Sequence, residues 1–191
     1  MHSDPSKSLT VVGIDPGSRA MGYGILSQLG NQIRHIHSGI IKCSPKAPLE
    51  QRLGHIHQEL GNILDRHRPQ ALALESIFHA KNIRSVFTLA HARGVAMLGG
   101  SIRGLPVYEY SPIEVKRACS GYGRASKDQL AHMMCRLFGL KQTELVGLDQ
   151  TDALSIALCH LNTWKLKSHE KDHIERSRSK NSLTQNMKAK I

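Results

Sequence analysis

Short apolar runs bounded by turn residues predict the strands of this chain. The first run ends at Asp15 and is followed by a Pro-Gly turn, and a tight turn around Gly30 joins the second and third runs. We expect the first three strands to pair antiparallel. The five predicted strands cover Leu9–Asp15, Met21–Gln28, Gln32–Ile41, Ala71–Glu75 and Val107–Tyr110.

Apolar residues at spacings of three and four predict the helices. One amphipathic helix begins near Leu49 and ends before Pro69. Two capping boxes, which begin at Ser111 and Ser126, each mark the start of a further helix. The remaining predicted helices cover residues 85–102, which are rich in Ala and Gly, and residues 149–166.

The order of these elements predicts the fold class. A helix separates the fourth strand from the first three, so this strand joins the sheet parallel to the first by a right-handed crossover. The result is an α/β fold of the RNase H-like type, a mixed five-stranded sheet flanked by helices. We expect one domain over residues 9–166, a polar extension at 1–8 and a basic, disordered tail at 167–191.

The positions of four carboxylates in the predicted fold indicate a metal site. Asp15 and Glu75 end two strands that are expected to be parallel, and such strand ends meet at one sheet edge. Asp149 and Asp152 are three residues apart and share one helix face. Taken singly, Asp15 is also an ordinary turn residue and Asp149 an acceptable N-cap. Together the four acids predict a site for two Mg²⁺ ions, or Mn²⁺ in their place, that activates water against a phosphodiester.

The charge of the chain indicates the kind of partner. The formal net charge is +11. Residues 165–191 carry eight Lys/Arg and three Asp/Glu, a net charge of +5, which leaves +6 for the remainder. A folded part that is basic in its own right favours binding to DNA or RNA.

The apolar segments and the cysteines indicate where the protein is located. No apolar segment approaches the length of a membrane span, and no apolar signal region follows the polar N-terminus. The four cysteines form no CxxC pair and are expected to be reduced. We therefore expect a soluble, cytoplasmic protein.

At this point the motifs resemble those of the RuvC family of Holliday-junction resolvases. The resemblance rests on residues 13–19, 22–24, 75–78, 80–82, 92–94 and 149–154, which occur in the family's order. It implies that Asp15, Glu75, Asp149 and Asp152 bind Mg²⁺ and cleave two opposed strands of a four-way DNA junction. It also implies a homodimer and partnership with the RuvA–RuvB branch-migration machinery.

The resemblance further implies a set of DNA-binding residues. Among them, Phe78 would stack on a base that is unpaired near the crossover. Lys127 has independent support, because a cation in the first turn of a helix opposes the macrodipole unless an anion lies in front of it. For Lys116 and Lys127, the alternative role is a solvated surface charge. The whole set is Phe78, Lys81, Arg93, Lys116 and Lys127.

Three other functions have some support in the sequence. An ATPase of the actin and sugar-kinase type also begins with a strand and an Asp-x-Gly turn, but it needs a second domain. An RNase H-like nuclease related to a ribosomal RNA processing factor has a similar opening motif. A non-catalytic protein that binds branched DNA would explain the charge, but not four acids at one place. For the dimer, the Ala/Gly-rich helix at 85–102 is the candidate interface, although its small residues also suit packing against the sheet.

Overall fold

The computed structural model describes residues 8–76, 83–121, 126–141, 145 and 147–164. Within these ranges the chain forms five strands and five helices. The strands are β1 Leu9–Asp15, β2 Ala20–Leu29, β3 Gln32–Lys42, β4 Ala71–Glu75 and β5 Val107–Tyr110. The helices are α1 Leu49–His67, α2 Ile83–Ile102, α3 Pro112–Ser120, α4 Lys127–Phe138 and α5 at 148–164.

The strands form one mixed sheet in the order β3-β2-β1-β4-β5. Strands β1, β2 and β3 pair antiparallel, while β4 pairs parallel to both β1 and β5. This topology confirms the predicted RNase H-like fold. Its central strands, β1 and β4, are covered on both faces, which explains why their sequences read as nearly continuous apolar runs.

Two apolar cores hold helices on the two faces of the sheet. On one face, Ile56, Leu60 and Leu64 of α1 are buried with the small residues of α2. On the other face, α3, α4 and α5 pack together against the sheet. The helix α5 is the most enclosed of these, since every residue from 153 to 161 is buried.

Both predicted capping boxes are present. The Ser111 hydroxyl accepts a hydrogen bond from the Glu114 backbone N–H, and the Glu114 carboxylate accepts one from the Ser111 N–H. Ser126 and Gln129 form the equivalent pair at α4. These reciprocal bonds satisfy backbone donors that the first turn of a helix leaves free.

Four of the six Ala and Gly residues of α2 face the interior of the protein, while Ala90 and Gly94 are exposed. Ala92, Ala96, Gly99 and Gly100 are buried, and a Cβ at Gly100 would lie 3.1 Å from Leu72 Cδ1. Their role in this structure is therefore the close packing of α2 on the sheet and α1. The exposed side of α2 also carries larger apolar residues. These are Ile83, Phe87, Met97, Leu98 and Ile102.

The cysteines, the membrane-span prediction and the predicted terminal segments can each be compared with the described residues. All four cysteines are free thiols, as expected. Among the helices within the described ranges, none is both long enough and apolar enough for a membrane span. The predicted tail at 167–191 and residues 1–7 of the predicted extension lie outside the described residues, and their character stays a prediction.

Candidate active site

Asp15 and Glu75 are the last residues of neighbouring parallel strands. The register pairs Ile14 with Leu74, which brings the next residue of each strand to the same edge of the sheet. Both strands are short and buried before these acids. The sheet therefore fixes the two carboxylates side by side, as the sequence predicts.

Helix α5 supplies the other two acids, and three glycines let it approach the sheet. A Cβ at Gly13 would overlap the backbone of Ala153 and Ala157, and a Cβ at Gly22 would overlap the backbone of Asp149. At Gly24 it would lie 2.8 Å from the Cα of Leu154. Only glycine permits this contact between strand and helix. The close approach brings Asp149 and Asp152 to the edge that carries Asp15.

A side-chain hydrogen bond also fixes the start of α5. The Gln150 amide is buried and donates to the Ser38 hydroxyl on β3 at 2.8 Å. Asp149 is the second residue of this helix, so it does not occupy the N-cap position that the sequence alone allows. Its carboxylate is therefore not explained by helix capping.

The acids are electrostatically coupled. Burial, together with the charges of Asp152, Asp149 and Glu75, raises the pKa of Asp15 from 3.8 to about 7. Burial and the charge of Asp152 also raise the pKa of Glu75. The charges of the other three acids all act on Asp15, so the four carboxylates lie in one cluster, and a cation would relieve their repulsion.

Two lysines partly offset this negative charge. Lys127 Nζ donates to Asp152 Oδ2 at 2.6 Å, and its charge lowers the pKa of both Asp15 and Glu75. Lys116, on α3, also lowers the pKa of Glu75. The pairing with Asp152 in turn raises the pKa of Lys127 itself. Two of the three lysines of the predicted DNA-binding set, Lys116 and Lys127, therefore lie beside the acids.

The cluster suits a divalent metal ion by its chemistry. Its donors are carboxylate oxygens, the ligands that Mg²⁺ and Mn²⁺ prefer. Within the part of the chain that the structure describes, no three His, Cys, Asp or Glu side chains are arranged to hold an ion as they stand. Here the ammonium group of Lys127 supplies positive charge to Asp152. A metal ion would require the side chains to close together, and it would replace that charge.

The other predicted DNA-binding residues lie in different surroundings. Arg93 forms an ion pair with Glu109 at 2.6 Å, and its side chain is 11% exposed. At this exposure the guanidinium is little accessible to DNA. Phe78 and Lys81 lie outside the described residues, so their roles stay predictions.

Sequence reasoning missed the support for the turn that follows Asp15. Arg52 Nη1, from α1, donates to the Ser18 carbonyl at 3.1 Å and to the Ser18 hydroxyl at 3.0 Å. Ser18 is buried, and the Arg19 carbonyl accepts from the Cys43 N–H. An arginine within an amphipathic helix gives no signal for a partner 34 residues away. By contrast, Gly22 and Gly24 are two residues apart in a strand, so both lie on the same face and neither has a side chain there. This spacing is a sequence signal of close packing.

An RNase H-like sheet with two acids at the carboxyl ends of its central strands, and two more beside them on α5, has the arrangement of a nuclease-type site. A family model described as crossover junction endodeoxyribonuclease RuvC matches residues 11–160. The chain belongs to the RuvC family, which confirms the resemblance seen in its motifs.

Relatives and solved structures agree with this assignment. The chain is 43% identical to the RuvC of Myxococcus xanthus over 154 residues, 81% of each protein. It is equally identical to the RuvC of Syntrophotalea carbinolica over 158 residues, 83% of this chain and 97% of the relative. A structure of Thermus thermophilus RuvC in complex with Holliday junction substrate matches 83% of this chain and 96% of that one. Its sequence identity is 34% and its TM-score is 0.77. The yeast mitochondrial Holliday junction resolvase Ydc2, at 11% identity and a TM-score of 0.58, shares the fold.

Proposed function

We propose that this chain is a structure-specific endonuclease that resolves four-way DNA junctions by paired, symmetric, metal-dependent nicks. The family assignment supports the reaction, and the site supports the chemistry. The observation that carries the proposal is the placement of the four acids at one edge of the sheet, where burial and the charges of Asp152, Asp149 and Glu75 raise the pKa of Asp15 to about 7. Such an arrangement costs stability unless a cation binds there.

Asp15, Glu75, Asp149 and Asp152 would hold Mg²⁺, with Mn²⁺ as a possible replacement and two ions per site. Bound Mg²⁺ supplies an activated water and offsets the charge that develops on the phosphate. The acids themselves orient the ions, because the strand ends and α5 fix their backbones. We propose no protein nucleophile for the reaction.

Lys116 and Lys127 would hold phosphates beside the acids. Lys127 is 58% exposed at its side chain, so DNA can reach it. A metal ion held by Asp152 would replace the positive charge that Lys127 supplies, and the ammonium group could then leave its carboxylate partner. The lysine would then contact the negatively charged backbone of the substrate.

We further propose that the protein acts as a homodimer through α2. Two opposed nicks require two active sites, and a twofold pair provides them. The exposed apolar side of α2 supports this choice, since Phe87 is 63% exposed and Leu98 is 54% exposed. Leu98→Glu should shift the protein to monomers in analytical ultracentrifugation, whereas Leu29→Glu, at the β2–β3 turn, should not.

Incubation with a labelled synthetic four-way junction tests the proposed reaction. In Mg²⁺, the products should be two nicks at symmetric positions on opposed strands, and chelator should abolish them. Duplex DNA and an RNA–DNA hybrid of the same sequence should be cut far more slowly. Preferred cleavage of the hybrid would favour an RNA nuclease, and binding to the junction without nicks in any metal would favour an architectural role.

Two further expectations from the sequence extend this proposal. Partnership with the RuvA–RuvB machinery stays a prediction, and adding both proteins to the junction assay should change the rate or position of the nicks. The cytoplasmic location also stays a prediction, which cell fractionation checks.

A further inference from the structure

A groove lies on the α1–α2 side of the turn that follows Asp15. It has a volume of about 700 Å³, and its polar lining comes from Ser18, Arg19, Arg52, Ser85 and Thr88. We call it the Arg19 groove. Two of its lining side chains are cationic and none of them, among the described residues, is acidic. The groove therefore suits an anion.

The two arginines of the groove differ in how they are held. Arg52 is fixed by its two hydrogen bonds to Ser18, and its Nε is buried without a hydrogen-bond partner in the described part of the chain. Arg19 is exposed, and its side chain forms no hydrogen bond or ion pair with any described residue. One guanidinium is thus positioned in advance and a second is available to close on a ligand. Guanidinium groups suit phosphate oxygens in this way.

The position of the groove relates it to the acids. Arg19 follows Asp15 by four residues, so their Cα atoms lie within about 14 Å of one another. Duplex DNA advances about 3.4 Å along its axis for each phosphate of one strand. If a strand with one phosphate at the acids runs toward the groove, another of its phosphates lies within reach of the groove within about four nucleotides.

We propose that the Arg19 groove binds a backbone phosphate of the junction DNA, on the cleaved strand and within about four nucleotides of the cut. This inference rests on the proposed function, because it takes junction DNA as the ligand. It adds a phosphate contact on the α1–α2 side of the site, whereas Lys116 and Lys127 lie on α3 and α4. The cleaved strand would then be held from both sides of the acid cluster.

Binding measurements over a range of salt concentrations test the groove. Arg19→Ala should weaken junction binding several-fold and lower the slope of log affinity against log salt by about one unit, as expected for one lost phosphate contact. Ser85→Asp, which adds a negative charge to the exposed rim, should weaken binding at least as much. The matched control is Arg34→Ala. Arg34 is an exposed arginine at the opposite end of the sheet, and its loss should change neither quantity.

Neutral methylphosphonate linkages then locate the phosphate. At one position within about four nucleotides of the cut, the linkage should weaken wild-type binding, and Arg19→Ala should add no further loss there. If wild-type protein cleaves the junction while Arg19→Ala and Ser85→Asp bind it with unchanged affinity and slope, the groove is not a phosphate site and the proposed function stands. If the wild type binds no junction at all, both proposals are wrong.

Discussion

The acidic and basic sides of the site are built in opposite ways. Asp15 and Glu75 end buried strands. Asp149 and Asp152 lie on a helix whose close approach to the sheet is possible because three strand positions are glycine. Lys127, by contrast, extends from an exposed helix start with its side chain 58% exposed. Ligands of a metal ion must be placed within a fraction of an ångström, whereas a long side chain can follow a phosphate. Changes on the acidic side should therefore affect catalysis, and changes on the basic side should mainly affect affinity.

The largest effect should come from the acids themselves. Asp15→Asn, Glu75→Gln, Asp149→Asn and Asp152→Asn should each reduce junction cleavage by about 100-fold or more, since even outer-shell changes at metal sites cost about 10–100-fold. Junction binding should stay close to that of the wild type. Asp128→Asn, an exposed acid in the first turn of α4, is the control and should cleave normally. Near-normal cleavage by any one of the four variants would remove that acid from the site.

A change that leaves all four acids in place should also damage catalysis. A Cβ in Gly22→Ala would overlap the Asp149 backbone, and α5 would have to move away from the sheet. We expect cleavage to fall by about 10–100-fold, because a 1 Å displacement at a reacting centre has effects of this order. Overpacking should also lower the free energy of unfolding by about 1–3 kcal/mol.

Gly54→Ala is the matched control for this glycine. A Cβ at Gly54 on α1 has no atom within 4 Å, so the change should raise stability by up to about 1 kcal/mol and leave cleavage unchanged. Normal cleavage by a folded Gly22→Ala protein would show that the approach of α5 is not needed for placing Asp149.

The repulsion among the acids should be visible in stability without metal. Because the pKa of Asp15 is raised in the folded state, its ionisation costs free energy that grows as pH rises from about 3.8 to about 7. In chelator, Asp15→Asn should therefore melt at a higher temperature than wild type at pH 8, and the difference should shrink toward pH 5. The cost is on the order of a few kcal/mol, and each kcal/mol corresponds to about 2–4 °C.

Asp152→Asn sharpens the same test. This variant relieves repulsion too, but it also breaks the ion pair with Lys127, so its gain should be smaller than that of Asp15→Asn. Mg²⁺ should then stabilise the wild type more than either variant, since each has lost a ligand. A melting temperature of Asp15→Asn at or below the wild-type value at pH 8 in chelator would contradict the coupling.

The smallest effects should come from the basic side. Lys116→Ala and Lys127→Ala should each lower the slope of log affinity against log salt by up to about one unit and weaken cleavage modestly. The reason is the loss of one phosphate contact for each. Normal cleavage together with an unchanged slope in both variants would make these lysines ordinary surface charges.

Local rules made most of the fold predictable from the sequence. The strand runs, the helix before Pro69 and the capping boxes at Ser111 and Ser126 depend on neighbouring residues, and the structure contains them. The strand-end acids could be placed because parallel neighbours share an edge. The pairs Arg52–Ser18, Gln150–Ser38 and Lys127–Asp152 could not, since they join residues that are distant in sequence and depend on how the elements pack.

The Ala/Gly-rich helix is a second case in which tertiary packing could not be predicted from the sequence. Composition alone left two uses for the Ala and Gly residues of α2, and the structure packs four of them against α1 and the sheet while Ala90 and Gly94 are exposed. The apolar residues that α2 exposes, such as Phe87, are the ones that a dimer would cover. Which face a helix buries is a property of tertiary packing that periodicity resolves poorly when nearly all of its residues are apolar or small.

Anomalous diffraction from crystals of the protein with junction DNA and Mn²⁺ tests the central claim most directly. We predict anomalous peaks within metal–ligand distance of the carboxylates of Asp15, Glu75, Asp149 and Asp152, with Lys127 Nζ moved from Asp152 to a phosphate oxygen. Junction DNA bound at this edge of the sheet without a Mn²⁺ peak among the four acids would contradict the account.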